Sequence, residues 1–192
     1  MIDLVFKHFV SKNKELLPVL KKLEVNGIKY GLQAGSYVTL MTGYRDTNDM
    51  DFLLSDDDYE KVESLFPEMQ VDKKESVLLL YLDKEKKLEF GCKGSLSVNN
   101  KKYPCKLTEL AQSRITTVDF GEAKINLLDP ADVLLMKTIL GRGQEVNKHD
   151  IRDAKQLLKT GTIERDYLLQ RALEMNVDER VYSTLATIGA RL

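Results

Sequence analysis

The sequence predicts an α+β fold, with strands in the middle of the chain and helices at both ends. Two observations carry this expectation. Between Tyr30 and Leu128, short apolar runs alternate with turn residues. Outside that stretch, apolar residues recur at helical spacing instead. There is no regular strand–helix–strand repeat, no internal repeat and no low-complexity segment.

The elements follow in order. Residues 3 to about 26 read as a helix, with Leu4, Val5, Phe9, Leu16, Leu17, Leu20 and Leu23 near helical spacing. Pro18 either kinks this helix or lies in the first turn of a second one. Tyr30 to Ala34 is a short strand, followed by Gly35-Ser36 and the apolar segment Tyr37 to Met41. Asp49 to Leu54 is a second strand. Ser55 is the expected N-cap of a helix from Asp56 to Phe66, ended by Pro67. Val77 to Leu82 and Leu88 to Phe90 read as strands joined by the charged turn Asp83 to Lys87. A hairpin is expected over Ser95 to Pro104, turning at Asn99-Asn100, and another over Ile115 to Leu128, turning near Gly121. Asp129-Pro130 opens a helix to about Leu140, where Gly141 and Gly143 break it. Helices from about Val146 to Leu158, Glu164 to Met175 and Asp178 to Ile188 complete the chain. The best candidate division separates residues 1–128, a sheet-containing core, from residues 129–192, a helical part expected to pack on it.

Composition narrows the function. The chain has 192 residues, 43% hydrophobic and 31% charged, a balance that supports an ordinary core. Lys+Arg 29 against Asp+Glu 30 gives a net charge of −1. That excludes a uniformly basic nucleic-acid coat and leaves only local patches for such contacts. Cys92 and Cys105 form no zinc spacing and read as reduced thiols. His8 and His149 have no ligand motif around them. No segment approaches the ~20 apolar residues of a membrane helix, and no signal-peptide pattern opens the chain. The expectation is a soluble, cytoplasmic protein without membrane contact.

The chemistry concentrates in Ala34 to Leu54, A-G-S-Y-V-T-L-M-T-G-Y-R-D-T-N-D-M-D-F-L-L. Gly35-Ser36 lies between a strand and a helix start, where backbone N–H groups can hold a phosphate. Glycine there permits close approach. Asp49 and Asp51 are one residue apart in a strand, so both carboxylates leave one face, about 6–7 Å apart at Cα. Hard oxygen ligands so placed suit Mg²⁺. Plainer roles exist for each residue: a solvated strand face for the aspartates, a turn and cap for Gly35-Ser36, an ion pair for Arg45. Lys137 could snorkel from an apolar helix to solvent. Arg142, Lys148 and Asp150 could form surface ion pairs.

Ala34-Gly35-Ser36, twelve residues, then Asp49-Met50-Asp51 resembles the DNA polymerase β-like nucleotidyltransferase superfamily. Arg45-x-Thr47-x-Asp49-x-Asp51 looks like its smaller bacterial and archaeal members, including the abortive-infection (AbiEii-type) toxins. The tail Leu128-Asp129-Pro130 to Lys137, then Arg142, Lys148, Asp150 and Asp153, is similar to theirs. The resemblance covers about residues 30 to 158 and is least specific between 55 and 127. It implies a mixed, mostly antiparallel sheet backed by helices. It also implies a third carboxylate on a neighbouring strand, at Glu89 in Leu88-Glu89-Phe90, with Asp83 and Asp119 as rivals. The family usually has Asp there, so Glu89 departs from the pattern.

The resemblance further implies two Mg²⁺ ions on Asp49, Asp51 and Glu89, and an NTP substrate. Gly35, Ser36, Arg45, Lys137 and Arg142 would bind the nucleotide, whose monophosphate passes to an acceptor hydroxyl. Residues 45–60 are strongly acidic and residues 84–106 lysine-rich. That arrangement suits an RNA acceptor, tRNA by analogy with the toxins, although lysines also protect exposed hairpin edges. Two alternatives stand: a protein of this fold that binds nucleotide or a partner without turnover, and an enzyme masked by an antitoxin-like protein.

Overall fold

The computed structural model describes residues 11–47, 49–73, 77–82, 86–91, 94–119 and 124–190. His8, Asp83, Cys92 and Gly121 lie outside them. The chain forms two compact units, Met1–Gly94 with Lys106–Leu128, and Ser95–Cys105 with Asp129–Leu192.

The first unit begins, among the described residues, with a short helical piece and a break at Asn13–Glu15, then α1 (Leu16–Val25). Pro18 therefore lies in the first turn of α1, where its missing N–H costs nothing. The strands are β1 (Tyr30–Gln33), β2 (Asp49–Leu54), β3 (Gln70–Lys73), β4 (Val77–Tyr81), β5 (Lys87–Gly91), β8 (Thr116–Asp119) and β9 (Lys124–Leu127). Between them lie α2 (Ala34–Thr42), α3 (Tyr59–Leu65) and α4 (Glu109–Ser113). They form one sheet of order β3-β4-β5-β2-β1-β9-β8. The β2–β5 and β1–β9 pairs are parallel; β1–β2, β3–β4, β4–β5 and β8–β9 are antiparallel. The sheet is thus mixed and mostly antiparallel.

Directly paired residues share a face. Tyr30, Leu32, Met50, Phe52, Leu88, Phe90, Leu78 and Leu80 share the apolar one, each buried. Phe52 stacks on Phe90 at 5.0 Å between ring centroids and meets Tyr30 edge-on at 5.4 Å. The other face carries Gln33, Asp49, Asp51, Lys87 and Glu89.

Local chemistry shifts some boundaries. Helix α3 starts at Tyr59 rather than Asp56, and Ser55 does not cap it. The Ser55 hydroxyl instead donates to Asp58 Oδ2, which also accepts the Lys29 backbone N–H at 2.8 Å. Burial alone would raise the Asp58 carboxyl; hydrogen bonds from Lys61, Lys29 and Ser55 outweigh it and hold the group below its ordinary value. Strand β3 and helix α4 are additions to the expected elements. Lys87, expected in a turn, is the first residue of β5.

The second unit holds β6 (Gly94–Val98) and β7 (Lys101–Cys105), paired as a two-stranded sheet. Asn99 and Asn100 have φ of 50° and 63°, the left-handed pair that a two-residue hairpin turn requires. Its centre is α5 (Pro130–Leu140), against which α6 (Asp150–Lys159), α7 (Arg165–Glu174) and α8 (Asp178–Thr187) pack. Asp129 caps α5 by accepting the Ala131 N–H at 2.9 Å, and Pro130 occupies the first position. Ala131 to Ile139 are all buried, so α5 is covered on every side. Helix α6 begins at Asp150 rather than about Val146, and a one-turn 3₁₀ helix, Gln144–Val146, precedes it. Among the described residues, no helix is long and apolar enough to cross a membrane.

Candidate active site

The site face is assembled by strand register. Asp51 on β2 is the register partner of Gln33 on β1 and of Glu89 on β5. Asp49 is the register partner of Lys87. Adjacent strands lie about 5 Å apart, so three carboxylates and one ammonium share a small patch of the sheet. Lys87 Nζ lies 3.7 Å from Asp49 Oδ2 and 3.8 Å from Glu89 Oε2. These side chains are partly exposed, 32% for Lys87, 49% for Asp49 and 37% for Glu89. The rival Asp119 lies on β8, the edge strand separated from β2 by β1 and β9. Asp83 falls outside the described residues.

The strand-to-helix turn sits beside this patch. Ala34 has φ 54°, a left-handed conformation that costs an alanine about 1–2 kcal/mol. The chain accepts that cost to turn directly from β1 into α2, which packs on β1 and β2. Ser36, fully buried, donates its hydroxyl hydrogen to Gln33 C=O at 2.8 Å and accepts the Asp51 N–H at 3.2 Å. Its hydroxyl thereby ties the turn to the strand that carries the aspartates. No side chain caps the first turn of α2. The Arg45 guanidinium covers Gly35: a Cβ built there would lie 2.5 Å from Nη2. Glycine at 35 is what lets the cation approach the turn backbone. Arg45 Nη1 also donates to Asp46 C=O at 3.3 Å.

Lys137 and Arg142 occupy the second unit. Lys137 is 5% exposed, its ammonium 3.1 Å from Asp150 Oδ1 and 2.7 Å from Asp153 Oδ2. Arg142 Nε donates to Asp150 Oδ2 at 2.7 Å. Of the tail residues of the sequence pattern, Lys137, Asp150 and Asp153 therefore form a buried ion cluster joining α5 to α6, with the partly exposed Arg142 on its rim, while Lys148 is exposed. Lys137 does not snorkel to solvent, because both of its carboxylate partners are buried with it.

The donor chemistry of Asp49, Asp51 and Glu89 fits a hard divalent cation: all oxygen, all anionic, at adjacent register positions. Among the described residues, no three His, Cys, Asp or Glu side chains converge on a common point. Lys87 stands between two of the three instead. Sequence reasoning missed Lys87 and Gln33. The i, i+2 spacing of Lys87 and Glu89 was the available signal for the first, once Lys87 is placed in the strand.

A family model described as an uncharacterised nucleotidyltransferase matches residues 11–192. Among solved structures, the antibiotic-resistance factor ANT(2'')-Ia matches with a TM-score of 0.57 and 9% identity, over 96% of both chains. Its crystal structure in complex with adenylyl-2''-tobramycin gives 0.55 and 9%, over 94% of this chain and 98% of that one. An antigenic nucleotidyltransferase-like protein from Paracoccidioides brasiliensis gives 0.52 and 19%, over 94% of both. At these identities the likeness is one of fold. No functionally curated protein matches the sequence.

Proposed function

Since the chain belongs to a family of uncharacterised nucleotidyltransferases, we propose that it moves a nucleoside monophosphate from an NTP to an acceptor hydroxyl on the Asp49–Asp51–Glu89 face. The observation that carries the reading is the register that sets Asp51 opposite Glu89, two residues from Asp49, beside the Gly35 turn. Asp49, Asp51 and Glu89 are the residues that would hold Mg²⁺, which when bound neutralises the triphosphate and acidifies the acceptor hydroxyl. Gly35 and the first turn of α2 offer backbone N–H groups to the β- and γ-phosphates. Arg45 lies over that turn and adds a cation. Ser36 contributes through its backbone, since its hydroxyl hydrogen is given to Gln33 C=O.

Glu89 takes the proton of the acceptor hydroxyl as its oxygen attacks the α-phosphorus. The new O–P bond forms as the bond to the leaving pyrophosphate breaks. Position and charge neutralisation supply most of the rate, with little covalent work for the protein. No step requires Lys137, whose ammonium is held by Asp150 and Asp153, or Arg142, whose Nε is held by Asp150.

The acceptor has two candidates. The lysine-rich segment 84–106 and the toxin-like Arg45-x-Thr47-x-Asp49-x-Asp51 phrasing favour RNA, with a masking partner protein as the corresponding regulation. The fold it shares with a protein crystallised with adenylyl-2''-tobramycin favours a small polyhydroxyl acceptor. Incubation with each α-³²P-NTP, Mg²⁺ and either total RNA or an aminoglycoside mixture separates them. Label transferred by the wild type and lost in Asp49→Asn supports the reading and names nucleotide and acceptor. NTP bound stoichiometrically, without pyrophosphate release for any acceptor, supports a binding protein of the same fold.

A further inference from the structure

Lys87 is an unusual residue where it stands. A lysine on an edge strand blunts unwanted pairing, but β5 is an interior strand between β4 and β2. Its side chain lies on the polar face, and its ammonium is 3.7 Å from Asp49 and 3.8 Å from Glu89. Both distances exceed a good N–H···O bond, so the interaction is Coulombic and carries no fixed geometry. The stem is long and about a third of the side chain is exposed, at 32%. The ammonium can therefore leave without breaking packing or a directional bond.

We propose that Lys87 is the resident counter-ion of this carboxylate face and makes it load with a metal–nucleotide complex in preference to free metal. The proposal rests on the metal-site reading given above. With the site unloaded, Lys87 offsets one of three negative charges and relieves the repulsion between Asp49 and Glu89. A divalent ion arriving alone must displace that ammonium into water. An ion arriving with a triphosphate brings anionic oxygens to which the displaced ammonium can turn. The lysine thus opposes free metal more than metal–nucleotide, which is a coupling between the two ligands.

The test measures Mn²⁺ binding by electron paramagnetic resonance, with Mn²⁺ alone and then with α,β-methylene-ATP, so that no turnover is involved. Lys87→Gln is expected to bind Mn²⁺ alone about twofold to fivefold more tightly than the wild type, the scale of one partly exposed ion pair. The gain in Mn²⁺ affinity on adding nucleotide is expected to shrink by a similar factor. Lys87→Arg, which keeps the charge, is expected to follow the wild type. Equal or weaker Mn²⁺ binding by Lys87→Gln overturns the proposal, with near-ultraviolet circular dichroism checking that the variant is folded. Asp51→Asn separates the two levels of argument. If it abolishes Mn²⁺ binding while Lys87→Gln matches the wild type, only the role of Lys87 fails. If Asp51→Asn binds Mn²⁺ unchanged, the metal-site reading fails and this proposal fails with it.

Discussion

Asp49 sits with Lys87 for company and half of its side chain in solvent, so its carboxylate contributes little to folding. Asp49→Asn should abolish nucleotide transfer while leaving the thermal midpoint within a degree or two of the wild type. Loss of activity accompanied by a collapsed midpoint would point to a structural role instead. Ser36 predicts the opposite pattern. Ser36→Ala leaves the part-buried Gln33 carbonyl and Asp51 N–H without their hydroxyl partner, a cost of about 1–2 kcal/mol. Urea melts should show that loss directly. Ala34→Gly relieves a left-handed alanine and should stabilise the fold by about 0.5–1 kcal/mol after the entropy of glycine is deducted; a destabilised variant would mean that the Ala34 methyl packs. The pairing of Asp49 with Asp51 was legible in the sequence because strand alternation is local. The neighbours of that pair were not. Lys87 follows a charged run and reads as turn, and only the parallel register of β2 with β5 brings it opposite Asp49.

Elements with their own punctuation were the legible ones. Asp129-Pro130 and Gly141 bracket α5, and Asn99-Asn100 makes the β6–β7 turn, all from chemistry within a few residues. Strand β3 was missed because Gln70–Lys73 is polar and largely exposed, and exists through its pairing with β4. Helix α4 was missed because five residues carry too little periodicity to register, although Thr108 caps it. The start of α3 moved because Asp58 answers a long-range demand, the Lys29 N–H, that no local pattern displays. The sequence was also silent on what joins α5 to α7. Arg171, 2% exposed, donates to Asp132 at 2.6 Å, and the Tyr167 hydroxyl donates to the same carboxylate at 2.6 Å. Arg171→Met should cost about 3–5 kcal/mol in a chemical-denaturation experiment, because it strands a buried carboxylate. Asp132→Asn combined with Arg171→Met should recover much of that loss, since neither charge then remains.

At neutral pH the whole molecule carries almost no net charge, −1, so general repulsion is small there, and particular groups shape the approach to each pH limit. On the acid side stands Asp58. Burial opposes its ionisation, but Lys61, the Lys29 N–H and Ser55 prevail and lower its pKa in the folded state. A carboxyl depressed on folding adds stability above its unfolded pKa of about 3.9, and loses it as pH falls through the folded value. On the alkaline side stand Tyr30, Tyr167 and Cys105. Burial raises all three, Cys105 to about 12, and Asp132 beside Tyr167 raises that phenol further. A group raised on folding adds stability below its unfolded pKa and loses it as pH climbs through the folded one. Asp132, which burial raises against the pull of Arg171 and Tyr167, works against the Asp58 limb, adding stability below its unfolded pKa and losing it as pH climbs through the folded one. The thermal midpoint should therefore fall on the acid side less steeply than Asp58 alone would give, and fall again above about pH 9–10 where unfolded thiols and phenols ionise. Asp58→Asn should lower the midpoint at neutral pH, since three hydrogen bonds lose their anionic acceptor, and should flatten the acid limb. Tyr30→Phe should leave the acid limb as it is and shallow the alkaline one. Differential scanning calorimetry from about pH 3 to 11 checks both limbs in one series. An acid limb that persists in full in Asp58→Asn would move the proton uptake to other carboxylates, and an alkaline limb indifferent to Tyr30→Phe would move the proton release from that phenol to Tyr167 and Cys105.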